Sequence, residues 1–217
     1  MNFICSKQKL QEGISIVTKA ITGKTTMPIL EGIYIEANNE GVTLIGSDMD
    51  VSIETKVEAT VITSGKIVLD ARLFGEIIRK LPNSDVKIEI ADNDLIQVTC
   101  EKSVFNLVYM NPNDYPMLPT INEDLKVKVP QNLLKNMIKG TSFAIAQDEA
   151  RPILQGILFE VKDKQLNLVA LDGYRLAIRN ELFNIDNDIE VVIPGKTLNE
   201  VSKILEDNSD LVEITFT

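Results

Sequence analysis

The chain has 217 residues, 44% of them hydrophobic and 25% charged, and a net charge of −10. This composition is typical of a soluble globular protein, and the apolar runs are shorter than the roughly 20 residues that a transmembrane helix requires. The absence of histidine excludes catalytic triads built on that residue and removes the commonest zinc ligand. Because the N-terminus lacks a signal-peptide pattern and the two cysteines form no motif, we expect a cytoplasmic protein with buried thiols.

The first half of the chain predicts a strand, a helix and three strands, in that order, twice. Helical spacing is clear at Leu10, Ile14 and Val17, and Ser6 and Asp70 can cap the two helices. In chain order, the predicted elements are a strand at 1–6, a helix at 7–20, strands at 29–37, 42–46, 50–62 and 66–69, a helix at 71–81, and strands at 86–90, 95–100 and 104–110.

The second half repeats the first at a spacing of 124 residues. The stretch Pro28–Glu36 returns as Pro152–Glu160 with six of its nine residues identical. One spacing held along the chain indicates a duplicated domain. We therefore predict domains at 1–118 and 119–217, joined by a proline-containing linker at about 111–125.

The predicted second domain follows the same order of elements, with a capping box at Thr197 and Glu200. Its elements are a strand at 125–129, a helix at 131–140, strands at 153–161, 165–171, 174–182 and 189–193, a helix at 197–205 and a strand at 211–216. By comparison with the first domain it lacks two final strands. We therefore expect a fragment of a longer protein, with the second domain truncated at its C-terminal end.

The predicted helices concentrate positive charge in an acidic chain. Residues 7–20, 71–81, 131–140 and 196–205 hold ten of the 22 basic residues and three of the 32 acidic residues. If the helices cover one face of antiparallel sheets, that face is positive and attracts phosphates without reading bases. The alternative is a set of ordinary solvated helix faces.

The repeated Pro-Ile-Leu-x-Gly, the segment Leu171–Ala177 and Asp114-Tyr115-Pro116 together resemble the bacterial DNA polymerase III beta subunit, the sliding clamp. The resemblance covers the whole chain and implies an α+β fold of tandem clamp domains. Each domain is then a duplicated strand-helix-three-strand unit with its helices on one face. Family members have three such domains per chain, and two chains close into a ring around duplex DNA. A third domain is absent here, so we do not expect this chain to close a ring.

The resemblance also implies functional residues. A pocket for peptides of the polymerase III α subunit, the clamp loader and other clamp-binding proteins would include Leu154, Leu171, Gly173, Tyr174, Arg175 and Leu176. The subunit interface of the homodimer would include Phe105 and Leu107. Sequence-independent contacts to double-stranded DNA would fall at Lys24, in the loop after the first helix, and at Arg72 and Arg79. The positive charge of the predicted helices adds Lys80, Lys135, Lys139, Lys196 and Lys203 as expected DNA contacts.

We expect a non-catalytic accessory subunit of the polymerase, with no catalytic residue, metal or cofactor and no membrane partner. Two alternatives remain open on sequence alone. One is a binding scaffold that does not meet DNA. The other is a Mg²⁺-dependent hydrolase that uses Asp48, Asp50 and Asp172. Against the second, aspartate is common in turns, where it forms local hydrogen bonds.

Overall fold

The chain forms two compact units, Met1–Pro119 and Thr120–Thr217. The computed structural model describes residues 1–23, 25–91, 95–116, 125–148, 150–182 and 188–216. In these ranges no helix is long and apolar enough to cross a membrane.

The first unit contains nine strands and two helices among its described residues. They are β1 (Asn2–Ser6), α1 (Lys7–Val17), β2 (Gly32–Asn38), β3 (Gly41–Ser47), β4 (Ser52–Val57), β5 (Thr60–Thr63), β6 (Gly65–Asp70), α2 (Ala71–Lys80), β7 (Asp85–Ile90), β8 (Leu95–Cys100) and β9 (Ser103–Val108). Ser6 caps α1 and Asp70 caps α2, and the Oδ1 atom of Asp70 accepts the Leu73 N–H at 2.7 Å. Both predicted caps are confirmed.

The first strand of each half of this unit pairs with the strands of the other half. The two antiparallel sheets have the orders β5-β1-β7-β8-β9 and β4-β3-β2-β6. Thus β1 joins the strands that follow α2, and β6 joins the strands that follow α1. Inward-facing residues of both sheets share one core with the buried sides of the helices, including Phe3, Leu44, Phe74 and Ile88.

The second unit repeats this arrangement with fewer described strands. Its elements are β10 (Leu125–Pro130), α3 (Gln131–Lys139), β11 (Gly156–Lys162), β12 (Gln165–Leu171), β13 (Leu176–Leu182), β14 (Ile189–Pro194), α4 (Gly195–Ile204) and β15 (Leu211–Phe216). The sheet orders are β13-β12-β11-β14 and β10-β15. Among the described residues, β15 therefore has no second neighbour, whereas β7, its counterpart, pairs with β8.

The strand pairings show how closely the two units correspond. Tyr34 pairs with Ile45 in the first unit, and Leu158 pairs with Val169 in the second. Both members of the second pair lie 124 residues after their counterparts. The strand pairs β2–β6 and β11–β14 keep the same relation, with Gly32 opposite Asp70 and Gly156 opposite Pro194. The sequence repeat is therefore a repeat of hydrogen-bond register.

The glycine of the repeated motif is required by close packing. A Cβ atom on Gly32 would lie 2.5 Å from Cγ1 of Val68, on the adjacent strand. A Cβ atom on Gly156 would meet Cγ1 of Val192 in the same way, and would lie 2.8 Å from the Ile193 carbonyl oxygen. The motif thus places a residue without a side chain next to a valine side chain of the neighbouring strand.

Four local expectations differ from the structure. Residues 50–62 form two strands, β4 and β5, because the chain passes from one sheet to the other at Glu58 and Ala59. The Pro-Ile-Leu segments at 28–31 and 152–155 are 3-10 turns that precede β2 and β11, since proline favours the first position of a helical turn. The last turn expected of the first helix, Thr18–Ala20, is also 3-10. The capping box does not form, because α4 begins at Gly195 and places Thr197 inside the helix.

We expect Gly32→Ala to lower the free energy of unfolding by about 1–3 kcal/mol, because the added methyl group overpacks the contact with Val68. Urea denaturation followed by circular dichroism measures the change. Gly23→Ala is the matched control, since no atom lies within 4 Å of the position of its added carbon. Equal stability of the two variants would contradict this explanation of the motif.

Candidate functional site

The end of the β12–β13 hairpin exposes two leucines opposite each other. Leu171 ends β12 and Leu176 begins β13, and the two residues pair across the strands. Leu171 is 38% exposed and Leu176 is 63% exposed. Their neighbours in the next pair, Ala170 and Ala177, are buried in the core. The leucines therefore lie on the outer side of the sheet, away from α3 and α4.

The turn between these leucines is held by one carboxylate. Oδ1 of Asp172 accepts the backbone N–H groups of Tyr174 at 2.9 Å and Arg175 at 2.8 Å. Its Oδ2 accepts Nε and Nη2 of Arg175 at 2.9 and 2.7 Å. Gly173 takes a φ of +91° inside this turn, a conformation that glycine adopts without steric cost.

The same hydrogen bonds make the side chain of Asp172 more acidic. The backbone N–H groups of Arg175 and Tyr174, and then the Arg175 side chain, lower the pKa of Asp172 to about 2. Each of them stabilises the ionised carboxylate. Arg175 therefore acts mainly as a support for the turn, while Tyr174, which is 97% exposed, extends from it into solvent.

Leu154 lies on the 3-10 turn Pro152–Gln155, which is close to this hairpin. The guanidinium nitrogens of Arg151, which precedes the turn, lie 3.6 and 3.7 Å from the position of a Cβ on Gly173. The Leu154 carbonyl accepts the Ala146 N–H at 3.0 Å, which anchors the turn to the unit. Leu154 is half-buried. The Gly173–Arg151 contact brings the two segments side by side.

The corresponding corner of the first unit is closed. Leu30, the counterpart of Leu154, is buried in a cluster with Tyr34, Val68 and Tyr115. Ser47 and Ser52, which replace Leu171 and Leu176, hydrogen-bond to each other through their hydroxyls at 2.7 Å. The two copies of the motif thus differ: one corner is filled by the unit's own tyrosine, and the other exposes aliphatic side chains.

The basic residues expected to bind DNA lie on the solvent-facing sides of their helices. Arg72, Arg79 and Lys80 are exposed on α2, whose buried residues are Ala71, Phe74 and Ile78. Lys139 on α3 and Lys196 and Lys203 on α4 are exposed as well. Lys24 lies outside the described residues.

Some of these cations are partly neutralised by neighbouring acids. Lys135 forms an ion pair with Asp207 at 3.0 Å, and its side chain is only 13% exposed. Lys203 pairs with Glu200 at 2.6 Å, and Arg72 with Glu76 at 3.6 Å. A phosphate that approaches these residues competes with a carboxylate, whereas Arg79 and Lys80 have no such acid bonded to them among the described residues.

The expected interface residues lie on β9, at the edge of the five-stranded sheet. Leu107 is 8% exposed and belongs to the core, where it pairs with Ile96. Phe105 points to the same side of the strand and is 40% exposed. Val104 and Val108 point to the opposite side and are more exposed still. Leu107 therefore offers less surface to a partner than the sequence suggested.

Two of the three aspartates considered for a hydrolase, Asp48 and Asp172, stabilise turns with their side chains. Oδ1 of Asp48 accepts the N–H groups of Asp50 and Val51 at 3.1 and 2.9 Å, in the same pattern that Asp172 shows 124 residues later. In the part of the chain that the structure describes, no three acidic, cysteine or histidine side chains come together as metal ligands. Asp48 and Asp172 are matching turn residues of the two units.

Two residues that the sequence did not single out, Arg151 and Ile153, lie beside the expected pocket residues. The guanidinium of Arg151 lies beside the hairpin turn at Gly173, and Ile153 is 69% exposed on the adjacent 3-10 turn. Their position in the sequence could have indicated them, because Arg151 precedes the second copy of the repeated motif and Ile153 lies within it. The predicted strand at 153–161 concealed the exposed turn in this segment.

Known proteins match the whole of this chain. Residues 1–119 match the model of the DNA polymerase III beta subunit N-terminal domain, and residues 128–217 match that of its central domain. The chain is 43% identical over 227 residues to the beta sliding clamp of Bacillus subtilis, and 41% identical over 229 residues to that of Halalkalibacterium halodurans. In both comparisons all of this chain and 60% of the relative are covered.

Solved structures of beta subunits also match the fold of this chain. The sliding clamp of Bacillus subtilis superposes with a TM-score of 0.96 at 43% identity, over 100% of this chain and 60% of that one. A putative beta subunit from Eubacterium rectale gives 0.94 at 38% identity, over 99% and 60%. The tandem units are thus those of a sliding-clamp fold. The chain belongs to the DNA polymerase III beta subunit family, and it spans about 60% of the length of the curated relatives that it matches.

We expect the side chain of Asp172 to titrate with a midpoint near 2 in an NMR pH titration of its carboxyl carbon. Because this pKa is below the ordinary value of 3.8, the stabilisation given by the ionised side chain is present above pH 3.8 and is lost as the pH falls through about 2. Arg175→Met should raise the midpoint but leave it below 3.8, since the backbone donors remain. Arg179→Met should not change it. A wild-type midpoint at or above 3.8 would refute the assignment.

Proposed function

We propose that this chain is part of a DNA sliding clamp, a non-catalytic processivity factor that encircles duplex DNA and tethers the replicative polymerase to it. The observation that carries the proposal is the match of both units to beta sliding clamps along the whole chain at up to 43% identity. The sequence limits of the two clamp domains are proposed at 1–118 and 119–217. We also propose a cytoplasmic location, which a role in DNA replication supports.

The helix faces supply the DNA contact in this proposal. α1 to α4 contain nine basic and three acidic residues, although the chain as a whole has a net charge of −10. Such a surface attracts the phosphate backbone through counterion release, without sequence preference. A weak, unspecific contact suits a clamp, because the protein must move along DNA. The acidic remainder of the surface disfavours nonproductive binding elsewhere.

The exposed corner at Leu154, Leu171 and Leu176 supplies the partner contact. Aliphatic side chains beside a rigid turn can accept an apolar anchor of an extended peptide. Gly173 lets a peptide backbone approach closely, and Tyr174 can cover a bound side chain. We propose peptides of the polymerase III α subunit, the clamp loader and other clamp-binding proteins as the ligands.

Ring formation would use the edge strand β9. Phe105 and Leu107 lie at that edge, and an unpaired strand edge can extend a sheet into a neighbouring subunit. In the ring that we propose, two polypeptides of three domains each meet head to tail. A chain with only these two units is not expected to close one.

Retention on circular DNA tests the clamp against a DNA-independent scaffold. The complete protein, loaded by its clamp loader, should remain on nicked circular plasmid during gel filtration and leave the same plasmid once it has been cut to a linear form. A higher salt concentration should have little effect on the rate at which the protein leaves the circular plasmid, because a closed ring is linked to the plasmid topologically. Equal retention on both forms, or none on either, would exclude a clamp.

Leu176→Asp in the complete protein should weaken binding of a polymerase-derived peptide by at least about tenfold, because it places a charge in an apolar contact. Isothermal titration calorimetry measures the affinity, and gel filtration should show an unchanged oligomer. Ile62→Asp is the matched control: Ile62 is 59% exposed, but it belongs to the first unit. Peptide affinity that Leu176→Asp leaves unchanged would remove the pocket assignment.

A further inference from the structure

Arg179 projects from the side of β13 that carries the helices of the second unit. It pairs across the strands with Leu168, which is fully buried in the core beneath α3. Arg179 itself is exposed. It therefore stands at the open edge of the sheet on the same side as the basic residues of α3, not on the outer side that carries Leu171 and Leu176.

Gly140 leaves the space that the Arg179 side chain occupies. A Cβ atom on Gly140, the residue that ends α3, would lie 2.5 Å from Nε and 3.1 Å from Cγ of Arg179. The same position is 3.2 Å from the Asn136 carbonyl oxygen. The guanidinium thus crosses bare backbone at the last turn of α3, the end of a helix at which the helix dipole favours a cation. Any larger residue at position 140 would displace it.

The guanidinium is available for an anion. Within the described residues Arg179 forms no hydrogen bond and no ion pair, and Glu181, on the same side of β13, is not bonded to it. Lys139 lies one residue before Gly140 and is exposed. Lys135, one turn earlier, is paired with Asp207 and has its side chain mostly covered. Lys139 and Arg179 are therefore two exposed cations at this end of α3.

We propose that Arg179 is a phosphate-binding residue of the DNA-facing surface, and that Gly140 leaves the room that its side chain needs. The proposal rests on the proposed clamp function and adds a contact from a strand to those expected from helices. A planar guanidinium can contact two oxygens of one phosphate group. The combination of Arg179 and Gly140 distinguishes the second unit from the first, because the positions 124 residues earlier hold Thr55 and Ile16.

Equilibrium binding of the complete protein to a short fluorescent duplex, measured by anisotropy at several salt concentrations, tests this role. Arg179→Gln should weaken binding by about threefold to tenfold at the lowest salt and reduce the slope of log K against log salt by about 0.9, the value for one lost phosphate contact. Lys162→Gln is the matched control, since Lys162 is exposed on the opposite side of the same sheet and should leave binding unchanged.

Gly140→Ala separates a positioning role from simple charge. It keeps every charge and forces the Arg179 side chain to shift, so it should weaken binding by less than Arg179→Gln does, and the double variant should be no weaker than Arg179→Gln alone. Lys139→Gln should reduce binding whether or not Arg179 is present. Thermal melts would verify that each variant is folded.

The outcomes distinguish this inference from the function on which it rests. If Lys139→Gln reduces the salt slope and Arg179→Gln does not, the role of Arg179 is wrong and the clamp function stands. A loss of stability in Arg179→Gln with unchanged DNA binding would make the residue a support for the end of α3 only. If wild-type protein shows no salt-dependent binding, both this inference and the proposed DNA contact fail.

Discussion

The exchange of first strands between the halves of each unit is the constraint on which the structure depends. β1 pairs with β7 and β6 pairs with β2, so neither half can complete its sheet without the other. In the second unit β10 and β15, and β11 and β14, pair in the same way. Both sheets must then close over the same two helices, which fixes the apolar sides of those helices toward the core and leaves their basic sides in water.

The sequence predicted this fold well where local patterns decide it. Helices α1 and α2 follow from apolar spacing and from caps at Ser6 and Asp70, which form locally. The division of residues 50–62 between two sheets could not be predicted, because alternation of side chains is the same in either sheet. The 3-10 turn at 152–155 was also missed. Four apolar-rich residues before a strand are ambiguous, and only packing against the sheet decides their geometry.

The candidate site was predictable in part. A family resemblance predicted Leu171, Gly173 and Leu176 as site residues, and the structure places Leu171 and Leu176 on either side of the turn that contains Gly173. The role of Arg175 as a support for Asp172 is a matter of hydrogen-bond geometry, which residue identity alone does not reveal. Arg179 was missed for a different reason: its position depends on a contact with Gly140, which lies 39 residues away in the sequence.

The turn at Asp172 also affects the free energy with which a ligand would bind to this surface. Its carboxylate is already saturated by two backbone N–H groups and by the Arg175 guanidinium. The conformational entropy of ordering this loop is therefore lost when the protein folds, not when a partner arrives. A ligand of such a preorganised surface would therefore spend little of its binding free energy on ordering the loop. A single hydrogen-bonded turn would in this way let even a short peptide segment bind with useful affinity.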